Sequence, residues 1–422
     1  MHNNIKVKTT SLMVLLVSVF LLSALAGVQF VGKVSAAGPY DWPMFRHDLQ
    51  HTGYSTSPAP NTNQTLWTYT ADGYANCCPA VVDGKVYVGS NDNNLYCLDA
   101  ATGMRIWNYT TGGDVVSSPA VADDKVYVGA SDYKVYCWNA ATGSHMWNFT
   151  TGGGMLSKPA VADGKVYVGS RDHKVYCLNA LTGALIWNYT AGDQVTSSPA
   201  IADGRVYVGS DDNNVHCLDD TTGAHIWNYT TGGSVDSSPA VVGGFVYVGS
   251  YDYNAYCLNA STGAFIWNYT TGGSLRSSPA VADGRVYVGS NDGKVYCLNA
   301  STGLHIWNYT TGNWVASSPA VADGRVYVGS NDDSVYCLNA LTGALVWRYT
   351  TGGDLWSSPA VANGVVYIGS ADNKVYAFSA APPIPEGLTI GVMMLLSAVA
   401  VIVGKRYFRK RPKIENCSKV KL

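Results

Sequence analysis

The pattern of hydrophobic and polar positions repeats every forty residues from Trp67 to Ala380, without insertion or deletion. One unit, Ser277 to Gly312, reads SSPAVADGRVYVGSNDGKVYCLNASTGLHIWNYTTG. Turn residues divide the unit into four short segments, SSPAVA, RVYVGS, KVYCLNA and LHIWNYT, in which Val and Tyr are frequent. Segments of this kind at this spacing predict one four-stranded antiparallel sheet per unit.

The second and third segments are apolar or aromatic at nearly every position, whereas a half-exposed strand would alternate. Both faces of each sheet must therefore be covered. Sheets stacked face to face around an axis meet this requirement, so the repeat predicts an all-β fold, a β-propeller. The first segments carry one proline each, which predicts eight blades: Pro79, Pro119, Pro159, Pro199, Pro239, Pro279, Pro319 and Pro359.

The last segments carry one tryptophan each. The first of these tryptophans precedes the first proline, so the series of tryptophans begins one segment earlier in the chain than the series of prolines. The tryptophans are Trp67, Trp107, Trp147, Trp187, Trp227, Trp267, Trp307 and Trp347. The final unit ends at Ala380 without a fourth segment of its own. We therefore expect Thr65 to Thr70 to complete the last sheet and close the ring.

The units resemble the repeats of quinoprotein-type (PQQ-like) eight-bladed propellers. The turn Ala300-Ser301-Thr302-Gly303 followed by Trp307 carries this resemblance, and the leader DWPMFRHDLQHTGYS, Asp41 to Ser55, is similar to the segment before such propellers in secreted members. In that family the tryptophan docks each blade on the next, which implies the same role for the eight tryptophans here. The fold serves in dehydrogenases and in outer-membrane assembly scaffolds, so the resemblance implies a fold more than an activity.

Both ends of the chain carry targeting signals. Lys6 and Lys8 precede an apolar run that ends before the small residues Val34-Ser35-Ala36, which predicts an export signal or an uncleaved anchor. Near the other end, a charge-free segment followed by a basic tail predicts a transmembrane helix with its tail in the cytoplasm. This arrangement resembles archaeal surface proteins. The expected divisions are signal 1–36, leader 37–64, propeller 65–380, linker 381–386, transmembrane helix 387–404 and cytoplasmic tail 405–422.

The portion expected outside the membrane is acidic. Between Ala37 and Gly404 there are 28 Asp and Glu residues against 16 Lys and Arg, a net charge of −12. Such a surface repels phosphate backbones, which excludes nucleic acid as a partner. We expect an envelope or cell-surface protein or a saccharide as the partner, with the membrane contacted through the C-terminal helix.

The cysteines fall into two groups. Neighbouring blades lie about 10 Å apart, too far for a disulfide, so the cysteine of each third segment is predicted to be a small buried hydrophobe. These residues are Cys97, Cys137, Cys177, Cys217, Cys257, Cys297 and Cys337. The adjacent pair Cys77-Cys78 stands where most units have two serines.

This pair raises an alternative function. In quinoprotein alcohol dehydrogenases, two adjacent cysteines form a ring disulfide beside the cofactor, which implies a small oxidoreductase using PQQ, calcium, Cys77-Cys78 and an Asp such as Asp236 as the base. The family's calcium site uses a glutamate, however, and the repeats contain none. The sequence therefore favours a non-catalytic cysteine pair, no metal site and a protein that is not an enzyme.

The copies differ mainly in the loop before the first strand and in the turn after the second. Because strand direction alternates, both lie on one face of the disc. Aromatic residues mixed with single charges are typical of a recognition surface, although neutral drift of exposed loops explains the variation equally well. The predicted binding face comprises Tyr74, Asn76, Cys77, Cys78, Asp114, Lys158, Asp236, Arg276, Trp314, Asp354 and Trp356.

Asparagines in acceptor triplets recur on the last segment, which predicts a heavily glycosylated rim if the chain is secreted. Duplication of one repeat accounts for their number equally well. The candidates are Asn63, Asn108, Asn148, Asn188, Asn228, Asn268 and Asn308.

Overall fold

The computed structural model of the chain describes residues 40–380. The predicted signal, linker, transmembrane helix and basic tail lie outside these residues. Within residues 40–380 there is no helix with the length and hydropathy needed to span a bilayer.

Eight four-stranded antiparallel sheets form the blades of a closed β-propeller, which confirms the predicted fold. The first strands of blades 1 to 8 are Ala80–Val82, Ala120–Ala122, Ala160–Ala162, Ala200–Ala202, Ala240–Val242, Ala280–Ala282, Ala320–Ala322 and Ala360–Ala362. The second strands are Lys85–Gly89, Lys125–Gly129, Lys165–Gly169, Arg205–Gly209, Phe245–Gly249, Arg285–Gly289, Arg325–Ser330 and Val365–Gly369. First strands of neighbouring blades contact one another, so they surround the central channel.

The outer strands follow in the same order. The third strands are Asn94–Asp99, Lys134–Asn139, Lys174–Asn179, Asn214–Asp219, Asn254–Asn259, Lys294–Asn299, Ser334–Asn339 and Lys374–Ser379. The fourth strands are Arg105–Thr110, His145–Thr150, Leu185–Thr190, His225–Thr230, Phe265–Thr270, His305–Thr310, Leu345–Thr350 and, for blade 8, Gln64–Thr70. This last strand pairs antiparallel with Lys374–Ser379 and places Trp67 opposite Ala377, so the N-terminal strand closes the ring as the sequence predicted.

Each blade is joined to the next through one carbonyl group. The indole N–H of Trp107 and the hydroxyl of Tyr87, both in blade 1, donate to the carbonyl oxygen of Ala140 in blade 2, at 3.2 and 3.1 Å. The same pair of bonds recurs around the ring, for example from Trp227 and Tyr207 to Ala260, both at 3.1 Å. Hydrogen bonds to buried groups are costly to leave unmade, so each junction fixes the position of its neighbour.

The leader completes the one junction that the repeat leaves open. In blade 8 the repeat position of the acceptor is Ala380, but the fourth strand of this blade comes from the other end of the propeller, so the usual turn between third and fourth strand is missing. The carbonyl of Pro60 takes this place and accepts from Tyr327 at 2.7 Å and from Trp347 at 3.3 Å. Ring closure therefore depends on the carbonyl group of Pro60 in the leader as well as on the strand Gln64–Thr70.

The leader also runs through the central channel. Its carbonyl oxygens accept hydrogen bonds of 2.7 to 2.8 Å from first-strand N–H groups, in the order of the blades. The pairs are Pro43 with Val121, Leu49 with Ile201, Gln50 with Val241, Thr52 with Val281 and Gly53 with Val321. A two-residue strand, Tyr54–Ser55, then pairs parallel to Ala320–Ala322. Backbone that would otherwise face an open channel is paired in this way.

The tryptophan junction also requires a glycine. A methyl group at Gly263 would lie 2.7 Å from Cδ2 of Trp227, whereas a methyl group at Gly284 would meet nothing within 4 Å. The two glycines have nearly the same φ, +71° and +70°, so both substitutions to alanine carry the cost of a left-handed backbone, about 1–2 kcal/mol.

We expect Gly263→Ala to lower the free energy of unfolding by about 1–3 kcal/mol more than Gly284→Ala, because only the first displaces the indole. Urea unfolding followed by tryptophan fluorescence measures the difference. Equal losses in the two variants would show that the indole is not held tightly at the junction.

Candidate functional site

A cavity of about 510 Å³ opens at the centre of the ring, on the face that carries the variable loops. Phe45 of the leader lies at its base, so the leader gives the channel a floor. The loops before the first strands contribute most of the wall, together with Asn91, Arg171 and Asp211 from the turns after the second strands. Backbone bonds join these two sets of loops, for example from Asp211 N–H to the Gln194 carbonyl at 2.9 Å.

Seven of the eleven predicted face residues line this cavity: Asn76, Cys77, Cys78, Lys158, Asp236, Arg276 and Trp356. The other four, Tyr74, Asp114, Trp314 and Asp354, lie outside its lining. Tyr74 and Trp314 are about half exposed, at 48% and 52%, and Trp356 is 45% exposed. The sequence thus identified a surface larger than the cavity itself.

A ring of side chains surrounds the channel one residue before each proline. Six blades have serine here, blade 1 has Cys78 and blade 3 has Lys158. In seven of the eight blades, the N–H of this residue donates to the side chain at the same position in the next blade, at 2.8 to 3.1 Å. The serine hydroxyls act as acceptors in these bonds. None of them donates a hydrogen bond to another described group, so their hydrogens are available to a ligand.

The ring has one gap, between blades 2 and 3. Lys158 has no lone pair to accept the Ser118 N–H when its amine is charged, and that N–H has no partner among residues 40–380. The Lys158 ammonium instead lies 4.8 Å from the centre of the Phe45 ring. Burial lowers the pKa of Lys158, because a charged amine in a cavity is poorly solvated.

Cys77 occupies a serine position of the repeat and makes the bonds of that serine. Its Sγ accepts the Gly89 N–H at 2.8 Å, just as Ser237 Oγ accepts the Gly249 N–H at 3.0 Å in blade 5. Cys78 Sγ closes the ring described above by accepting the Ser358 N–H at 3.1 Å. Both cysteines are free thiols, and burial raises the pKa of Cys77. The pair therefore takes over two hydrogen-bonding roles of serine.

Two carboxyl groups face each other in the cavity, and sequence reasoning assigned only Asp236 to the site. Asp236 accepts from Tyr251 Oη at 2.6 Å and from Thr196 Oγ1 at 3.3 Å, and it lies 3.9 Å from Arg276 Nε. Burial and the adjacent Asp236 raise the pKa of Asp211 to about 7. The two acids hence share a proton near neutral pH.

The aspartates of the turn after the second strand have a structural role. Asp292 accepts the Lys294 N–H of its own turn at 3.0 Å and a bond from the Tyr296 hydroxyl. It also accepts the Gly272 N–H of the preceding blade at 3.0 Å, an interblade bond that the sequence did not reveal. Among residues 40–380, no three His, Cys, Asp or Glu side chains are grouped as metal ligands.

The predicted glycosylation sites all lie at exposed positions on the rim or in the leader. The side chains of Asn63, Asn108, Asn148, Asn188, Asn228, Asn268 and Asn308 are exposed. Exposure permits modification, and glycosylation of these residues stays a prediction.

The acid pair should make stability depend on pH. The pKa of Asp211 lies above its usual value of 3.8, so the folded chain holds this proton more tightly than the unfolded chain, and stability falls as pH rises from about 4 to about 7. We expect Asp211→Asn, which cannot ionise, to melt at a higher temperature than the parent protein at pH 8 and to lose that advantage near pH 4.

Thermal unfolding at several pH values measures this difference. Asp114→Asn is the matched control, because Asp114 lies on the same face outside the cavity. An advantage of Asp211→Asn that is the same at pH 4 and pH 8 would mean that the two carboxyl groups do not share a proton.

Comparisons with known proteins agree on the fold. The family model described as "Beta-alanine-activating enzyme, beta-propeller" matches residues 162–386, and the model "Outer membrane protein assembly factor BamB" matches residues 56–157. No curated protein matches the chain in sequence.

Three solved structures illustrate the range of similar propellers. BamB from Moraxella catarrhalis is 22% identical with a TM-score of 0.67, over 75% of this chain and 99% of that one. A europium-containing methanol dehydrogenase is 15% identical with a TM-score of 0.70, over 81% and 98%. The quinohemoprotein alcohol dehydrogenase from Comamonas testosteroni is 18% identical with a TM-score of 0.69, over 84% and 83%.

Identities this low establish the fold alone, and proteins with this fold include both BamB and dehydrogenases. The first family model, however, matches more than half of the chain. The protein therefore belongs to the beta-propeller family described for the beta-alanine-activating enzyme, and it is a PQQ-like eight-bladed propeller.

Proposed function

We propose that the protein is an extracytoplasmic, membrane-anchored binding propeller without catalytic activity, and that it holds a saccharide in the central cavity. The ligand enters from the face with the variable loops, while the repeat turns on the other face only maintain the ring. The export signal and the C-terminal hydrophobic segment, read from the sequence, support the location.

The observation that carries this proposal is the ring of serine hydroxyls. Ser118, Ser238, Ser278, Ser318 and Ser358 line the cavity, and their hydroxyl hydrogens have no acceptor among the described residues. A ligand rich in oxygen acceptors would satisfy them. Trp356 adds an exposed aromatic face above the ring, and an aromatic side chain among well-placed polar groups is common in binding sites.

A protein partner is the second possibility within the same function. The family model for an outer membrane assembly factor matches part of the chain, and Tyr74 and Trp314 extend the aromatic surface beyond the cavity. The enclosed cavity, with its inward-pointing donors, favours a small polar ligand over a flat protein surface.

The oxidoreductase alternative has weaker support from the residues of the cavity. Calcium prefers six to eight oxygen ligands, several of them carboxylates, whereas this cavity offers two carboxyl groups that share a proton and one of which faces Arg276. The sulfur of Cys77 accepts the Gly89 N–H at 2.8 Å, and its thiol donates to the Gly89 carbonyl oxygen at 3.3 Å. These residues do not fit a calcium-quinone site, and we derive no reaction through one.

A glycan array screened with the full chain in detergent tests the proposal. We expect binding to a subset of glycans, and we expect Trp356→Ala to weaken it about tenfold or more, as for an interface hot spot. Leu304→Ala is the control, because Leu304 is 68% exposed and follows a constant turn on the other face. Absence of glycan binding, or binding that Trp356→Ala leaves unchanged, would contradict the proposal.

Calorimetric titration with PQQ, with and without calcium, tests the alternative. We expect calcium to leave the heat of mixing unchanged, because the cavity does not provide the ligands of a calcium site. Calcium-dependent binding that disappears in the double variant Cys77→Ser/Cys78→Ser would replace our proposal with the oxidoreductase. The double variant restores the serines of the repeat, so it should fold like the parent protein.

A further inference from the structure

The gap in the hydroxyl ring concentrates hydrogen-bond donors at one point of the cavity. Elsewhere around the ring, each N–H is satisfied by a serine or by Cys78 in the next blade. At the gap, the Ser118 N–H has no partner among residues 40–380, and Lys158, whose amine is a further donor, lines the same cavity. The hydroxyl of Ser118 accepts the Cys78 N–H at 2.8 Å, which leaves its own hydrogen free to donate.

Lys158 is also a cation of the cavity whose amine has no ion-pair partner among residues 40–380. Three cationic and two acidic side chains line the wall. Arg276 lies 3.9 Å from Asp236, and Arg171 acts on the charge of Asp211. Within the described part of the chain, Lys158 makes no ion pair and no hydrogen bond through its amine, which lies 4.8 Å from the centre of the Phe45 ring. The charges of Asp236 and Arg276 act on it in opposite directions from beyond ion-pair distance.

A poorly solvated ammonium group without an ion-pair partner is costly, and an anionic ligand would lower that cost. Building on the proposed saccharide binding, we propose that the gap at Lys158 and Ser118 is a subsite for a carboxylate group, so that the ligand is an acidic saccharide. One carboxylate oxygen accepts from the Lys158 ammonium and the other from the Ser118 N–H. The sugar hydroxyls then occupy the remainder of the serine ring.

The donors at the gap match a carboxylate. The Lys158 ammonium and the Ser118 N–H are two donors for its two oxygens, and its single negative charge balances the ammonium group that has no ion-pair partner among residues 40–380. A neutral sugar has oxygens that accept from both donors, but it would leave the charge of the Lys158 ammonium group unbalanced.

The subsite can be tested with acetate, the simplest organic carboxylate, against sodium chloride at matched ionic strength. We expect a saturable shift of the Ser118 amide resonance in ¹H–¹⁵N NMR spectra of the full chain, whereas the Ser198 amide, already bonded to Ser238 at 2.9 Å, stays unchanged. Lys158→Ser should abolish the acetate response, because it restores the acceptor that six blades already have. Lys125→Ser, on the opposite face, should keep it.

A Ser118 amide that does not respond to acetate, or that responds equally in Lys158→Ser, would overturn the subsite. The same holds for a response that sodium chloride reproduces. Because Lys158→Ser returns the position to the consensus of the repeat, loss of folding is not a competing explanation, and its melting temperature serves as the check.

The ligand class is tested by calorimetry with glucuronate and glucose. We expect the parent protein to bind glucuronate about tenfold or more tightly than glucose, and Lys158→Ser to lose that preference while its affinity for glucose stays the same. Equal affinities in the parent protein would refute the acidic ligand and leave saccharide binding intact. Absence of binding by both sugars would instead count against the saccharide function, and the acetate experiment would still decide the subsite.

Discussion

The ring depends on one repeated interaction, the carbonyl group that receives both an indole N–H and a tyrosine hydroxyl from the preceding blade. Trp107 and Tyr87 meet at Ala140, and an equivalent meeting occurs at every junction. The interaction fixes the separation and tilt of neighbouring sheets, because two donors on different strands must reach the same oxygen. Once all the junctions are fixed, the first strands are fixed as well, and the channel they surround has a constant geometry whatever the loops contain.

The leader turns this channel into a cavity. It follows the first strands from Val81 to Val321 and pairs with their N–H groups, and Arg46 donates to the carbonyl oxygens of Pro279 and Pro319 from a fully buried position. Burial lowers the pKa of Arg46 to about 10 and that of His51 to about 4, so at neutral pH the plug carries a charged arginine and a neutral histidine. With one end of the channel filled, the variable loops surround a site with a single opening.

The fold could be predicted from the sequence because of the repeat: few arrangements of eight equal units cover both faces of every sheet. The repeat also exposed Lys158 and Cys77-Cys78, since each departs from a consensus visible in the other blades. Asp211 was not assigned to the site, because acidic residues are ordinary in turns and nothing in the sequence indicates that a turn of blade 4 faces Asp236 of blade 5. The path of the leader could not be predicted either, since it occurs once and has no periodicity.

Near-identical blades also explain how a site can arise in such a protein. A serine in the ring provides an acceptor to one neighbour and a free donor to the cavity, and Cys78 preserves the first role, as its bond from Ser358 shows. Lys158 gives up that role and leaves the Ser118 N–H without its acceptor. Blades 2 and 3 stay joined in spite of this lost hydrogen bond, because Tyr127 and Trp147 both donate to the carbonyl oxygen of Ala180, away from the inner ring. Because the blades are joined by bonds outside the inner ring, single side chains of the inner ring can be replaced while the fold is preserved.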